Sequence, residues 1–173
     1  MFLRTGITRM ADMIERDTIT VKEHYQYHLG KLYSWMVGDF QSRCNEFKKV
    51  LTGNNIVPFS NKVAVDLGCG HGIQSIPLAQ IGFKVLAVDF SEHLLNELKV
   101  NAKGLDITTI NDDIRRVKHF ANKPALIVCC GDTLCHLDSA REIQTFISDI
   151  SNTLDDRGIT ILSIRDYTTP SSP

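Results

Sequence analysis

Short apolar segments alternate with amphipathic helical segments along most of this 173-residue chain. The segments with the composition of buried strands are 62–67, 84–88, 106–110, 125–130 and 159–164. Helical periodicity and capping residues predict helices over 73–81, 91–103 and 138–154. Strands that are apolar throughout are buried on both faces, as in a parallel sheet covered by helices. The sequence therefore predicts an α/β fold with a doubly wound, mostly parallel sheet and helices on both faces.

The first third of the chain has a different texture. Apolar and aromatic residues recur at three- and four-residue steps from about 21 to 51, which is typical of helices. Gly38 and Asp39 interrupt this pattern and predict a second helix over 40–51, and Pro58 lies in the loop that follows. We therefore expect an N-terminal helical segment at 1–57 and the sheet-containing core at 58–173.

Composition excludes several classes of protein. The net charge of −1 argues against a dedicated nucleic-acid binder, which would be strongly basic. No apolar run approaches the roughly 20 residues of a membrane span, and the N-terminus lacks the apolar core of a secretory signal. The five cysteines show no CxxC spacing, and Cys135-His136 lacks further ligands for zinc. We expect a cytoplasmic protein with no disulfide framework and no metal site.

A glycine-rich loop follows the first predicted strand. It reads Asp66-Leu67-Gly68-Cys69-Gly70-His71-Gly72 and leads directly into a predicted helix. Ligands of such sheets bind beyond the carboxyl ends of the strands, where backbone without side chains allows close approach. The spacing is GxGxG, whereas a dinucleotide-binding loop has GxGxxG. Without a ligand, three glycines so close together would be an unexplained entropic cost.

This loop resembles the DxGxGxG motif of class I, Rossmann-like S-adenosylmethionine-dependent methyltransferases. The resemblance covers roughly residues 25–167, most of the chain. It implies that Asp66, Gly68, Cys69, Gly70 and Gly72 hold the amino-acid end of S-adenosylmethionine, and that S-adenosylhomocysteine is the product.

Acidic residues at the ends of the next two strands support the same resemblance. Asp89 lies about 20 residues beyond the loop, where a carboxylate can accept hydrogen bonds from both ribose hydroxyls, and Phe90 is expected against the adenine. An acid at this position also fits NAD. After the third strand, the family places an acidic residue and a backbone amide at the adenine, here Asp113 and Ile114. Asp112 is an alternative to Asp113, and helix capping before Arg115 is an interpretation without a ligand.

The fourth predicted strand leads into a GDTLxHL sequence that resembles the fourth motif of small class I methyltransferases without an assigned acceptor. In the family this loop lies beneath the transferring methyl group. The resemblance implies that Cys130 and Gly131 approach the cofactor, and Asp132 and His136 are the candidate catalytic residues. His71 is interpreted as a loop residue rather than a base. The family's N-terminal helix often closes over the cofactor, so Tyr25 or Tyr33 is expected at its carboxylate end or in the acceptor pocket.

The C-terminus departs from the family pattern, in which a helix and an antiparallel pair of strands follow the fifth strand. Here a short Thr/Ser/Pro tail follows, so we expect a shortened chain or a sheet edge completed by a second copy in a homodimer.

The predicted function is methyl transfer from S-adenosylmethionine to an unidentified acceptor, with a small molecule favoured. Alternatives are a protein or RNA methyltransferase, a non-catalytic S-adenosylmethionine-binding or regulatory subunit, and, more distantly, an NAD-dependent oxidoreductase.

Overall fold

The computed structural model describes residues 37–164, and the five strands within this range form one parallel sheet. They are β1 (Val63–Leu67), β2 (Lys84–Asp89), β3 (Ile107–Asn111), β4 (Leu126–Cys129) and β5 (Ile159–Leu162). Their order across the sheet is β3-β2-β1-β4-β5, and each neighbouring pair runs parallel. This confirms the predicted α/β fold. The order reverses between β1 and β4, which is where such sheets bind ligands.

Helices connect the strands on both faces of the sheet. They are α1 (Phe40–Gly53), α2 (Ser75–Gln80), α3 (Glu92–Asn101) and α4 (Ala140–Thr153), with two 3₁₀ helices at Ile114–His119 and Thr133–His136. The sequence did not predict the 3₁₀ helices. It also started α2 two residues too early, because Ile73 and Gln74 belong to the turn that ends the glycine-rich loop. The predicted break between two N-terminal helices is consistent with α1, which begins after Asp39.

Side-chain caps fix where two of these helices begin. The Ser91 hydroxyl accepts from the amide of Leu94 at 3.5 Å, as predicted for the start of α3. The Ser139 hydroxyl accepts from the amide of Glu142 at 3.2 Å at the start of α4. Such bonds satisfy amides that have no partner within the helix. α3 therefore starts just beyond the carboxyl end of β2, whereas the second 3₁₀ helix lies between β4 and the start of α4.

Two separate apolar cores lie on the two faces of the sheet, because successive strand residues point in opposite directions. One core combines the inward faces of α1, α2 and α3 with Val85 and Leu126. The other combines α4 and the first 3₁₀ helix with Val65 and Ile127. All four of these strand residues are fully buried. The rigid sheet between the two cores fixes the loops at its carboxyl edge relative to one another.

Close packing of the glycine-rich loop against α3 gives a first prediction. A Cβ at Gly72 would lie 2.3 Å from Cδ1 of the fully buried Leu98, and φ of Gly72 is +106°. Gly104 has a φ of +85° but no atom within 4 Å of such a Cβ. We expect Gly72→Ala to lower the free energy of unfolding by about 3 kcal/mol and Gly104→Ala by about 1 kcal/mol. Urea denaturation measures both, and equal losses would contradict the packing argument.

Candidate functional site

A cavity of about 970 Å³ lies at the carboxyl edge of the sheet. Most of the residues predicted to form the site line this cavity: Gly68, Cys69, Gly70, Asp89, Phe90, Asp113, Ile114, Cys130, Gly131, Asp132 and His136. Asp66 and Gly72 do not line it. Tyr25 and Tyr33 lie outside the described residues. The topology therefore brings the predicted loops to one cavity, with the glycine-rich loop at its centre.

The Asp89 carboxylate connects the glycine-rich loop to the end of β2. Its Oδ2 accepts from the amide of Gly70 at 2.9 Å, and its Oδ1 accepts from the amide of Ser91 at 2.8 Å. Burial raises the pKa of Asp89, and the amides that donate to the carboxylate oppose this rise. The amides of Gly70, Ser91 and Phe90 all bond this carboxylate, which leaves about one of its roughly four acceptor positions for a ligand. Asp89 is thus both a structural tether and part of the cavity wall.

Asp66 lies behind the loop rather than on the cavity wall. Its Oδ2 accepts from the Ser75 hydroxyl at 2.6 Å, and both side chains are buried. Burial raises the pKa of Asp66 to about 7, and the hydrogen bond from Ser75 opposes the rise. The geometry assigns Asp66 to fixing the first turn of α2 against the end of β1. Asp66 would therefore affect the orientation of a bound ligand only indirectly, through the position of the glycine-rich loop.

The glycine-rich loop and the loop after β4 are in close contact. A Cβ at Gly68 would lie 2.5 Å from both Cγ2 and Oγ1 of Thr133. No side chain larger than hydrogen fits between these loops, so glycine is required at position 68. The Thr133 hydroxyl also donates to the carbonyl oxygen of Cys130 at 3.0 Å. Thr133 therefore packs between two of the loops that form the cavity.

The segment after β3 shows the capping interaction that the sequence left as an alternative. The carboxylate of Asp113 accepts from the amide of Arg115 at 2.9 Å, and also from the guanidinium of the same residue. Arg115 reaches Glu142 at 3.0 Å as well. The neighbouring carboxylate of Asp112 pairs with Arg116 at 3.0 Å. Both acids nevertheless line the cavity, together with Ile114, so their expected contact with adenine stays a prediction.

The two candidate catalytic residues lie on the loop after β4. Asp132 precedes the second 3₁₀ helix and His136 ends it, and both line the cavity. Burial lowers the pKa of His136 from its ordinary value of 6.5, while the charge of Asp132 opposes this. The imidazole of His136 is therefore mainly neutral at pH 7 and able to accept a proton.

His71 is buried, in contrast to the expectation of an ordinary loop residue. Its ring lies 4.8 Å from that of Phe40, centroid to centroid, and burial lowers its pKa. Asn101 of α3 donates to the carbonyl oxygen of His71 at 3.3 Å. The His71 side chain thus packs the loop against α1, and a catalytic role for it is not needed to explain its position.

Several cavity residues were not identified from the sequence. Asn111 donates to the carbonyl oxygen of Phe90 at 3.0 Å, and Ser163 accepts from the amide of Gly131 at 2.9 Å. Arg43 and Glu46 form part of the wall that α1 contributes. The position of Asn111 just beyond the predicted third strand was a usable signal, because parallel strands end at the same edge, whereas Ser163 fell inside the predicted fifth strand, which ends earlier at Leu162. The wall from α1 had no such signal, since helix packing depends on the tertiary structure.

Residues 37–164 lack two features that would indicate other functions, a membrane-spanning helix and a metal site. None of the helices there has the length and apolar content needed to cross a bilayer. In the same range, no group of three or more His, Cys, Asp or Glu side chains is arranged to hold a metal ion.

Comparison with known proteins identifies similar sequences. A family model described as a methyltransferase domain matches residues 64–158, more than half of the chain. Glycine/sarcosine N-methyltransferase of Aphanothece halophytica is 31% identical over 109 residues, which are 61% of this chain and 41% of that protein. Ubiquinone biosynthesis O-methyltransferase of Rickettsia canadensis is 31% identical over 101 residues, or 57% of this chain and 41% of that protein. The chain thus spans about two fifths of the length of these curated relatives.

Solved structures share the fold. Magnesium protoporphyrin IX methyltransferase from Synechocystis PCC 6803, solved with bound S-adenosylmethionine, gives a TM-score of 0.62 at 23% identity, covering 78% of this chain and 70% of that one. An S-adenosylmethionine-dependent methyltransferase from Clostridium acetobutylicum gives a TM-score of 0.59 at 22% identity, covering 90% of this chain and 55% of that one. At this identity the likeness establishes the fold.

The buried Asp66 carboxyl gives a prediction about pH. Its pKa rises from 3.8 in the unfolded chain to about 7 in the folded protein, so the folded state binds this proton more tightly. The contribution of Asp66 to stability is therefore present at low pH and is lost as the pH rises from 3.8 to about 7. As the pH rises from about 4 to about 8, the free energy of unfolding of Asp66→Asn should increase relative to that of the parent protein by on the order of 4 kcal/mol.

Urea denaturation across this pH range measures the difference. Asp156→Asn, whose side chain is 87% exposed, is the control for removing a surface carboxylate, and the Asp66 effect is the pH-dependent difference in excess of this control. An Asp66→Asn variant whose difference from the parent did not change with pH would show that Asp66 is not the titrating group.

Proposed function

Because the chain belongs to the methyltransferase-domain family, we propose that it binds S-adenosylmethionine in the cavity and transfers its methyl group to an acceptor. The observation that carries this proposal is the Asp89 carboxylate, bonded to the amide of Gly70 and lining the same cavity. The family match and the glycine-rich loop support it from the sequence. The cavity supports it from the structure.

The residues present fit the chemistry of this cofactor. The cavity volume of about 970 Å³ is at the upper end of the range for small-molecule sites, which leaves room for a nucleoside and a second reactant. Asp89 is the proposed acceptor for the ribose hydroxyls, and the neighbouring Phe90 offers an aromatic face to adenine. The side-chain-free backbone at Gly68 and Gly70 lines the same cavity, and the amino-acid end of the cofactor is proposed to lie against it. Asp113 and Ile114 are the proposed adenine contacts.

The chemistry requires little covalent participation from the protein. When bound, S-adenosylmethionine supplies a methyl carbon on a positive sulfur; an acceptor lone pair forms the new bond while the carbon–sulfur electron pair leaves with the sulfur. The residues of this chain therefore act mainly by binding and orientation, holding the two reactants in line. A base is needed where the acceptor must lose a proton.

His136 is the proposed base, with Asp132 as its neighbour. Both lie on the cavity wall, at the end of the second 3₁₀ helix and immediately before it. The lowered pKa of His136 keeps the imidazole ready to take the proton that the acceptor releases. The charge of Asp132 would then stabilise the resulting imidazolium.

A small-molecule acceptor is favoured over a macromolecule. The relatives named above include enzymes named for glycine, sarcosine and ubiquinone biosynthesis. The net charge of −1 gives no general attraction to nucleic acid. A protein or RNA acceptor and a non-catalytic binding subunit are the alternatives. A cytoplasmic location, a helical segment at 1–57 that covers the site, and a homodimer through the edge of the sheet belong to the same proposal.

Calorimetry tests cofactor binding directly. We expect heat of binding with S-adenosylmethionine and S-adenosylhomocysteine and none with NAD. Asp89→Asn should weaken the affinity for S-adenosylhomocysteine by about tenfold to a hundredfold, because it removes a charged acceptor from the cavity wall. Glu46→Gln is the matched control, since its carboxylate also lines the cavity but is paired with Arg43 on α1.

Denaturation of both variants should accompany the titrations, because Asp89 also holds the loop. Folded parent protein that gave no heat with either compound would refute cofactor binding. A larger loss in Glu46→Gln than in Asp89→Asn would move the ribose contact away from Asp89.

The proposed base has its own test. With labelled S-adenosylmethionine and a fractionated cell extract, His136→Ala should lower kcat about a hundredfold and leave the affinity for S-adenosylhomocysteine within about twofold of the parent. Cys135→Ala, at the exposed neighbouring position, is the control and should retain parental turnover. Parental turnover in His136→Ala would remove the base role, and label in small compounds rather than protein or RNA would confirm the acceptor class.

A further inference from the structure

A single peptide group on the cavity wall is held at both of its polar atoms by side-chain hydroxyls. It joins Cys130 to Gly131, immediately after β4, and both residues line the cavity. The carbonyl oxygen of Cys130 accepts from Oγ1 of Thr133 at 3.0 Å. The amide of Gly131 donates to Oγ of Ser163 at 2.9 Å.

The two hydroxyls come from different parts of the fold. Thr133 opens the second 3₁₀ helix, whereas Ser163 follows β5. The pairing of β4 with β5 places Leu162 beside Cys129, and the amide of Ser163 donates to the carbonyl oxygen of Cys129 at 3.2 Å. Ser163 is therefore anchored to the sheet itself. A rotation of the Cys130–Gly131 peptide plane would break one or both of the hydroxyl bonds.

Each hydroxyl also contacts a second feature of the cavity. Thr133 lies against Gly68, so the peptide group is connected to the glycine-rich loop as well. Ser163 hydrogen-bonds the Cys130 thiol, whose pKa burial raises to about 11 and this bond lowers only in part. The thiol is thus uncharged at neutral pH. The Cys130 thiol and the Cys130–Gly131 peptide group therefore present dipoles to the cavity rather than a charge.

We propose that Thr133 and Ser163 are positioning residues, which clamp the Cys130–Gly131 peptide group as a rigid wall for the reacting end of the ligand. This inference rests on the proposed function for the identity of the ligand, and on the two hydrogen bonds for the clamp. A peptide group that is already fixed loses no rotational freedom when a ligand binds against it. The two hydroxyls act on one rigid unit, so their effects on ligand binding should not be independent.

Hydrogen exchange tests the clamp in the protein without ligand. By NMR, the Gly131 amide should exchange about threefold to tenfold faster in Ser163→Ala than in the parent, because it loses its acceptor. Ser163→Thr keeps the hydroxyl and should restore the parental rate. Thr145→Val, which removes a hydroxyl from the exposed part of α4, should leave the rate unchanged. Equal exchange rates in Ser163→Ala and the parent would overturn the clamp.

Calorimetry with S-adenosylhomocysteine tests its consequence. Thr133→Val and Ser163→Ala should each weaken binding by about threefold to tenfold, and the double variant should fall clearly short of the product of the two losses. Thr133→Ser, which retains the hydroxyl, should bind within about twofold of the parent. Parental affinity in both single variants, or a double variant equal to the full product, would overturn the positioning role. A parent protein that did not bind would refute the proposed function, while the exchange rates would still decide on the clamp.

Discussion

The bond between the Asp89 carboxylate and the amide of Gly70 determines how the carboxyl edge of the sheet is organised. It joins residues 19 positions apart and fixes the glycine-rich loop to the end of the neighbouring strand. The other oxygen of the same carboxylate holds the amide of Ser91, directly before α3. One buried acid thus sets the relative positions of a loop, a strand end and a helix start. The cavity has a defined shape because these three parts cannot move separately.

Two buried carboxyl groups so close to one another carry an electrostatic cost. Burial raises the pKa of both Asp66 and Asp89, and the charge of Asp89 raises that of Asp66 further. The two groups are stabilised differently. Asp89 accepts from backbone amides, which favour its charged form, whereas Asp66 has the Ser75 hydroxyl as its principal partner. Asp66, whose pKa is raised to about 7, therefore takes up a proton near neutral pH, and the amides that donate to Asp89 oppose the rise in its pKa.

The sequence predicted the sheet well, because buried parallel strands and capped helices have strong local signals. It predicted five strands in the right segments, the Ser91 cap and eleven of the residues that line the cavity, although Asp66 and Gly72 do not line it. Local patterns could not show that Arg115 would turn back onto Asp113, since that contact depends on a 3₁₀ helix and on Glu142 of α4. Nor could they place Ser163 against Gly131, because that bond depends on the register between β4 and β5. Contacts across the sheet edge are tertiary, and the local patterns of a single sequence do not predict them.

The two loops that form much of the cavity wall differ in how strongly packing constrains their residues. At the glycine-rich loop, close contact between backbone and neighbouring side chains leaves almost no choice of residue, as Gly68 against Thr133 shows. At the loop after β4, the wall is made by exposed or half-buried side chains such as His136 and Ser163, whose identities packing constrains much less. Tightly packed backbone, as at the glycine-rich loop, suits a cofactor that is shared by a whole family. Exposed side chains, as on the loop after β4, suit an acceptor that varies between family members. Under the proposed function, we therefore expect the identity of the acceptor to depend on the side chains that follow β4 and β5 rather than on the glycine-rich motif.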